Sequence, residues 1–192
     1  MTRHESTSDA FTLIETLMAG SILIVIAALA VLWLNSTFDF SVTTTAQSHA
    51  RETVQLTIAR MAAELKSATR TGVPNPPALS IPPVPNNTQV TFYVPADLDG
   101  NGTVIDVNGN IEWNVAQPVQ YVYDAPSQQL RRIQNGQTTI LTAGVTAARF
   151  DDVTTDATLL TNEVKITLTL QVLTPRGRTV SATSIERVKV RN

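Results

Sequence analysis

The one ligand-like cluster in this 192-residue chain is Asp97-Leu98-Asp99-Gly100-Asn101-Gly102-Thr103-Val104. Asp97, Asp99 and Asn101 are spaced as the side-chain oxygens at positions 1, 3 and 5 of a 12-residue calcium loop. Gly102 falls at the sharp turn, the Thr103 carbonyl at position 7 and Val104 at the apolar eighth place. Position 12 should be a bidentate Glu and is Asn108; Asp106 supplies a substitute carboxylate if the loop closes early. The expectation is a weak Ca2+ site suited to millimolar extracellular calcium, without flanking helices. The competing reading is a plain turn, because Asp, Asn and Gly tolerate turn dihedrals.

A second candidate is a single carboxylate. Between Phe11 and Leu34, Glu15 is the only ionisable side chain. A charged side chain in a hydrocarbon core costs about 2.5–3.5 kcal/mol even on lenient insertion scales, so Glu15 needs a partner there.

Catalysis has few residues to use. There is no cysteine, and His4 and His49 are the only imidazoles. No G-x-S-x-G elbow, phosphate loop or H-E-x-x-H pair is present. Asp151-Asp152 reads as two solvated loop acids, and Trp113, Tyr121 and Tyr123 as sheet-packing residues. The expectation is a protein that is not an enzyme and requires no cofactor. Net charge −2 and a pI near 5.6 give no basic footprint for nucleic acid.

The elements that must position these residues follow from pattern. Phe11–Leu34 is 24 residues, roughly 36 Å of helix against a hydrocarbon core of about 30 Å. A transmembrane helix is the direct reading, with Trp33 as an interfacial anchor. Ala28-Leu29-Ala30 would allow signal-peptide cleavage before Val31, but the preceding segment is not basic and the apolar run continues through Leu34. A plain single-pass anchor is the other simple reading. From Ser41 to about Arg70, Val54, Ile58, Met61, Leu65 and Ala68 recur at helical steps, so the helix continues with one apolar face. Arg60 and Glu64 are spaced as an i,i+4 pair, and Thr43-Thr44-Thr45 marks a candidate bend. Gly72–Asn87 holds six prolines and reads as an extended connector.

Beyond it the period becomes two. Strands are expected at Thr88–Val94, Ile111–Val115, Val119–Asp124, Gln128–Ile133, Thr138–Leu141, Val145–Phe150, Glu163–Leu173 and Arg178–Val190. In Glu163–Leu173, Val164, Ile166, Leu168, Leu170 and Val172 share one side, which argues for an antiparallel sheet with one wet face. Helix first and meandering sheet second gives an α+β fold.

Ala10-Phe11-Thr12-Leu13-Ile14-Glu15 resembles the processing site of type IV prepilins and type II secretion pseudopilins. The resemblance implies that a prepilin peptidase cuts between Ala10 and Phe11 and that the new Phe11 amine is N-methylated. Glu15, then fifth in the chain, would pair with the Phe11 amine of a neighbouring subunit and set filament register. The family usually has Gly where Ala10 stands, a departure from its pattern; many major pilins have proline where Leu32 stands, and the absence of that proline suits a minor pilin or pseudopilin. Tyr121-Val122-Tyr123-Asp124, Leu130-Arg131-Arg132, Gly144-Val145, Arg149-Phe150-Asp151 and Val190-Arg191-Asn192 are similar in order to W-type minor pilins and J-type pseudopilins.

The organisation so implied is a leader at 1–10, a membrane and filament-core helix at 11–34, its amphipathic continuation at 35–71, a connector at 72–87 and a β-rich domain at 88–192. The implied function is a minor pilin that primes or caps a filament, with a type II secretion pseudopilin as the alternative. The implied partners are sister pilin or pseudopilin subunits, the prepilin peptidase, an inner-membrane assembly platform and the lipid bilayer. The implied location is the bacterial inner membrane before assembly, then the filament. A monomeric membrane-anchored or secreted binding domain is the alternative of a different class.

Overall fold

The computed structural model describes residues 12–68 and 79–191. Ala10, Phe11 and Arg70 lie outside the described residues, as do residues 72–78 of the connector. The chain forms two units, Met1–Thr43 and Thr44–Asn192.

One helix, α1 (Leu13–Leu65), supplies elements of both units. No proline and one glycine, Gly20, fall within it. Its residues up to Phe38 are all exposed, including Leu13 at 82% and Trp33 at 70%. A helix apolar on every side cannot be stable in water with that surface bare, and its 18-residue window of mean hydropathy 2.7 is long and apolar enough to cross a membrane. The expected bend at Thr43–Thr45 does not break the element. Thr43 Oγ1 donates back to the Asp39 carbonyl at 2.7 Å, so its hydroxyl is satisfied inside the helix.

The helix stops at Leu65, short of the expected Arg70. Ser67 N–H and Ala68 N–H donate to carbonyls three residues back, at 3.1 and 3.0 Å, which tightens the last turn. Ala50, Val54, Ile58, Met61, Leu65 and Ala68 form its buried face, as the periodicity requires.

That face packs on two antiparallel sheets rather than the single one expected. The first has the order β1 (Gln89–Phe92), β2 (Val119–Asp124), β3 (Gln129–Gln134), β4 (Gln137–Ala143). The second is β5 (Val145–Asp151), β6 (Glu163–Leu173), β7 (Thr179–Lys189). Val90, Phe92, Val119, Tyr121 and Leu130 of the first sheet join Val145, Phe150, Val164, Ile166 and Leu168 of the second in one core with the helix face. The α+β class holds. In β6, Val164, Ile166, Leu168 and Leu170 are buried while Gln171 is exposed, the alternation read from sequence.

Gly144 is the residue between the sheets. Its φ of +73° lies in the left-handed region, and a Cβ there would stand 2.7 Å from the Gln171 carbonyl oxygen. Gln171 N–H donates to the Gly144 carbonyl at 2.8 Å, which ties the crossing to β6. The expected strand Ile111–Val115 is not one. Only the isolated bridges Ile105↔Ile111 and Pro95↔Trp113 form there, because residues 95–114 are taken up by loops built on Asp and Asn side chains.

Candidate functional site

Two places carry the residues singled out by sequence, one in each unit. At the head of α1, Thr12 and Glu15 hold each other reciprocally. Glu15 Oε2 accepts from Thr12 N–H at 3.0 Å and from Thr12 Oγ1 at 2.9 Å, while Thr12 Oγ1 accepts from Glu15 N–H at 3.4 Å. This is a capping box, which satisfies N-terminal amides that have no intrahelical acceptor. The T-x-x-E signal was present in the sequence and marks the helix start independently of any filament. Glu15 therefore has a local partner within its own chain.

The second place is the loop after β1. Asp97 Oδ1 accepts from Gly100 N–H at 2.7 Å and Asn101 N–H at 3.2 Å, and Oδ2 accepts from Gly102 N–H at 2.9 Å. The Gly102 amide, foremost, holds the Asp97 carboxyl below its ordinary range. Asp99 Oδ1 accepts from Asn101 N–H at 3.0 Å. Asn101 Oδ1 instead faces Thr103, accepting from both its N–H and its hydroxyl at 2.7 Å.

Glu112 completes the cluster, and sequence reasoning missed it. One carboxylate oxygen each from Asp97, Asp99 and Glu112 lie within 4.8 Å of one another. Glu112 Oε2 accepts from Leu98 N–H at 2.6 Å, and Glu112 N–H donates to the Val104 carbonyl at 2.9 Å. The carboxylate thus arrives from across the Ile105↔Ile111 bridge, beyond a 12-residue window. Asp106 does not join. It accepts from Asn110 N–H and Asn108 N–H, both at 2.8 Å, in a separate turn, and the Asn110 amide holds its carboxyl low. Three hard carboxylate oxygens fit Ca2+ chemically.

Compared with known protein families, curated proteins and solved structures, the chain matches none.

Two further polar groups depart from expectation. Asp151 and Asp152 are buried, 4% and 5% exposed, rather than solvated. Asp151 accepts from Asn87 Nδ2 at 2.7 Å and faces Arg149 and Lys165 at 3.4 Å. Asp152 Oδ1 caps the following turn through Thr154 N–H at 2.9 Å. Lys165 also bridges Asp156, whose carboxyl it holds well below the usual range; Asp156 in turn raises Lys165.

Glu64 takes Arg132 of β3 as its ion-pair partner at 2.9 Å, tying helix to sheet rather than following the i,i+4 spacing to Arg60. Tyr121 Oη lies buried beside that pair without a hydrogen bond of normal geometry, and burial, with the Glu64 charge added, pushes its hydroxyl up.

Proposed function

We propose that the chain is a minor pilin-like subunit that primes or caps a type IV filament. The observation that carries the reading is α1 itself. One unbroken helix bears an apolar stretch able to span a membrane, a lone acid in its first turn, and then the buried face of an α+β domain. A filament subunit needs those three features in that order, because a shared helix lets assembly in the core place a domain outside. The prepilin-like residues Ala10-Phe11 immediately precede the capped turn.

In this reading, prepilin peptidase removes residues 1–10 at the inner membrane, Phe11 is methylated, and Glu15 exchanges its local cap for the amine of a sister subunit. An assembly platform then extracts the helix from the bilayer. Calcium held weakly by Asp97, Asp99 and Glu112 would stiffen the 95–114 loops of the outer domain. Leu32, where a helix-breaking proline is common in major pilins, keeps a type II secretion pseudopilin as the second reading. Neighbouring genes separate the two, a retraction ATPase accompanying one and a secretin operon the other.

N-terminal mass spectrometry of the protein from its native host tests the proposal. A methylated Phe11 start supports it; a start at Val31 or an intact Met1 overturns it in favour of a secreted or anchored monomer.

A further inference from the structure

The first sheet buries Val90, Phe92, Val119, Tyr121 and Leu130 on the helix side. The opposite face carries the cross-strand row Thr91↔Gln120↔Ile133. Over that row, between residues 116–118 and the hairpin turn Asn135-Gly136, lies a hollow of about 370 Å3. Its lining includes no ionisable side chain.

Two glutamine amides on this face of the lining are each anchored at one end. Gln117 Oε1 accepts from Asn114 Nδ2 at 3.2 Å and Gln120 Nε2 donates to Gln89 Oε1 at 3.5 Å, whereas Gln134, two residues on from Arg132, has its amide held on the helix side by Arg132 Nη2 at 2.7 Å. Among the described residues, the other ends carry no hydrogen bond. Gln117 Nε2 is therefore an open donor and Gln120 Oε1 an open acceptor. The anchoring orients them before a ligand arrives, which lowers the ordering cost of binding. Ile133 and Pro118 add apolar surface beside them.

We propose that this hollow binds a neutral saccharide. A sugar hydroxyl both donates and accepts, so neighbouring hydroxyls match an anchored amide donor beside an anchored amide acceptor. The ring's C–H face matches Ile133 and Pro118. The volume falls in the range of roughly 300–1,000 Å3 usual for small-molecule pockets. Phosphates, carboxylates and amines find no counter-charge here. An extended peptide would need an open strand edge, whereas the floor strand β2 is already paired on both sides. The inference is independent of whether the chain polymerises.

The test uses the full chain in micelles of a detergent without a sugar headgroup. Saturation-transfer NMR is run with methyl glucoside, methyl galactoside, maltotriose and chitobiose, each at about 10 mM. At least one should receive transfer, with millimolar affinity. Gln117→Ala and Gln120→Leu should each weaken it about five- to tenfold, the loss of one hydrogen bond, without moving the unfolding midpoint. Both variants leave the Gln134–Arg132 contact in place, and circular dichroism confirms folding; if one unfolds, the other decides. No transfer from any of the four overturns the proposal. So does unchanged affinity in the folded variants, or glucuronate binding as tightly as the best neutral sugar.

Discussion

Replacing Gly144 by Ala should cost about 2–4 kcal/mol, a large part of the roughly 5–15 kcal/mol that holds a domain together. Two effects add. An L-residue at φ +73° carries a left-handed penalty of about 1–2 kcal/mol. The new Cβ would also stand 2.7 Å from the Gln171 carbonyl oxygen, and that atom belongs to β6 backbone that cannot swing aside like a side chain. Relieving the contact stretches the Gln171 N–H to Gly144 carbonyl bond, worth about 1 kcal/mol net.

Gly136 provides the control. It has φ +69° in the β3–β4 hairpin, and a Cβ there would meet nothing within 4 Å. Gly136→Ala should therefore show the dihedral penalty alone, about 1–2 kcal/mol. Urea unfolding of the Thr44–Asn192 unit reads both. Of the two tryptophans, Trp33 and Trp113, that unit keeps only the buried Trp113, whose fluorescence reports the transition. With a slope of about 1–3 kcal/mol per molar, Gly144→Ala should lower the midpoint by about 1–2 M. Equal losses at the two glycines would refute the claim that Gly144 is where the sheets are drawn together.

Glu15→Ala should abolish incorporation into filaments while leaving membrane insertion intact; normal incorporation in a pull-down of sheared filaments would sink the proposed charge pairing. Calcium at about ten times its dissociation constant should stabilise the full chain by about 1.4 kcal/mol, seen as a higher thermal midpoint that Glu112→Gln removes. No shift at millimolar calcium counts against the Asp97, Asp99 and Glu112 cluster. Lys165→Met should destabilise by about 1–3 kcal/mol at neutral pH, because Asp151 stays buried with one cation fewer. The Asp156 carboxyl is depressed, so its contribution is complete above the ordinary carboxylate range and is lost as the pH falls through the lowered value. The difference between variant and parent in urea midpoint should consequently shrink in strong acid; a constant difference would refute the coupling.

Periodicity carried most of the fold into view. Val54, Ile58, Met61, Leu65 and Ala68 are buried as their spacing requires, and β6 alternates as read. The split into two sheets was not visible, because it depends on a close approach between Gly144 and Gln171, 27 positions apart along the chain. Glu64 shows the same limit. Local spacing pointed to Arg60, but Arg132 reaches it from β3 and shares its partly buried surroundings. In the acidic loop, Asp97 and Asp99 were legible because turn chemistry is local, whereas Glu112 enters through a bridge that only tertiary structure sets. Asp151 and Asp152 misled for the opposite reason. Neighbouring acids are solvated by default, and here Asn87, Lys165 and a turn of threonines supply the donors that burial demands.

Glu15 is where the local and intermolecular accounts meet. As the capping partner of Thr12, its carboxylate accepts from both the Thr12 amide and the Thr12 hydroxyl. That explains how one acid survives in the apolar stretch of the helix. For the proposed filament it also sets the requirement for exchange: a sister subunit's amine must offer more than the cap. A buried carboxylate deprived of its cation costs about 3–5 kcal/mol, so a desolvated amine meets that requirement and a hydrated one does not. Assembly would then be selective for dry contact between helices, since only there does leaving Thr12 gain free energy. Thr12→Val separates the two roles. It removes the hydroxyl half of the cap, so the proposal expects incorporation to persist or improve, whereas a Glu15 that serves only to cap would lose its function with Thr12.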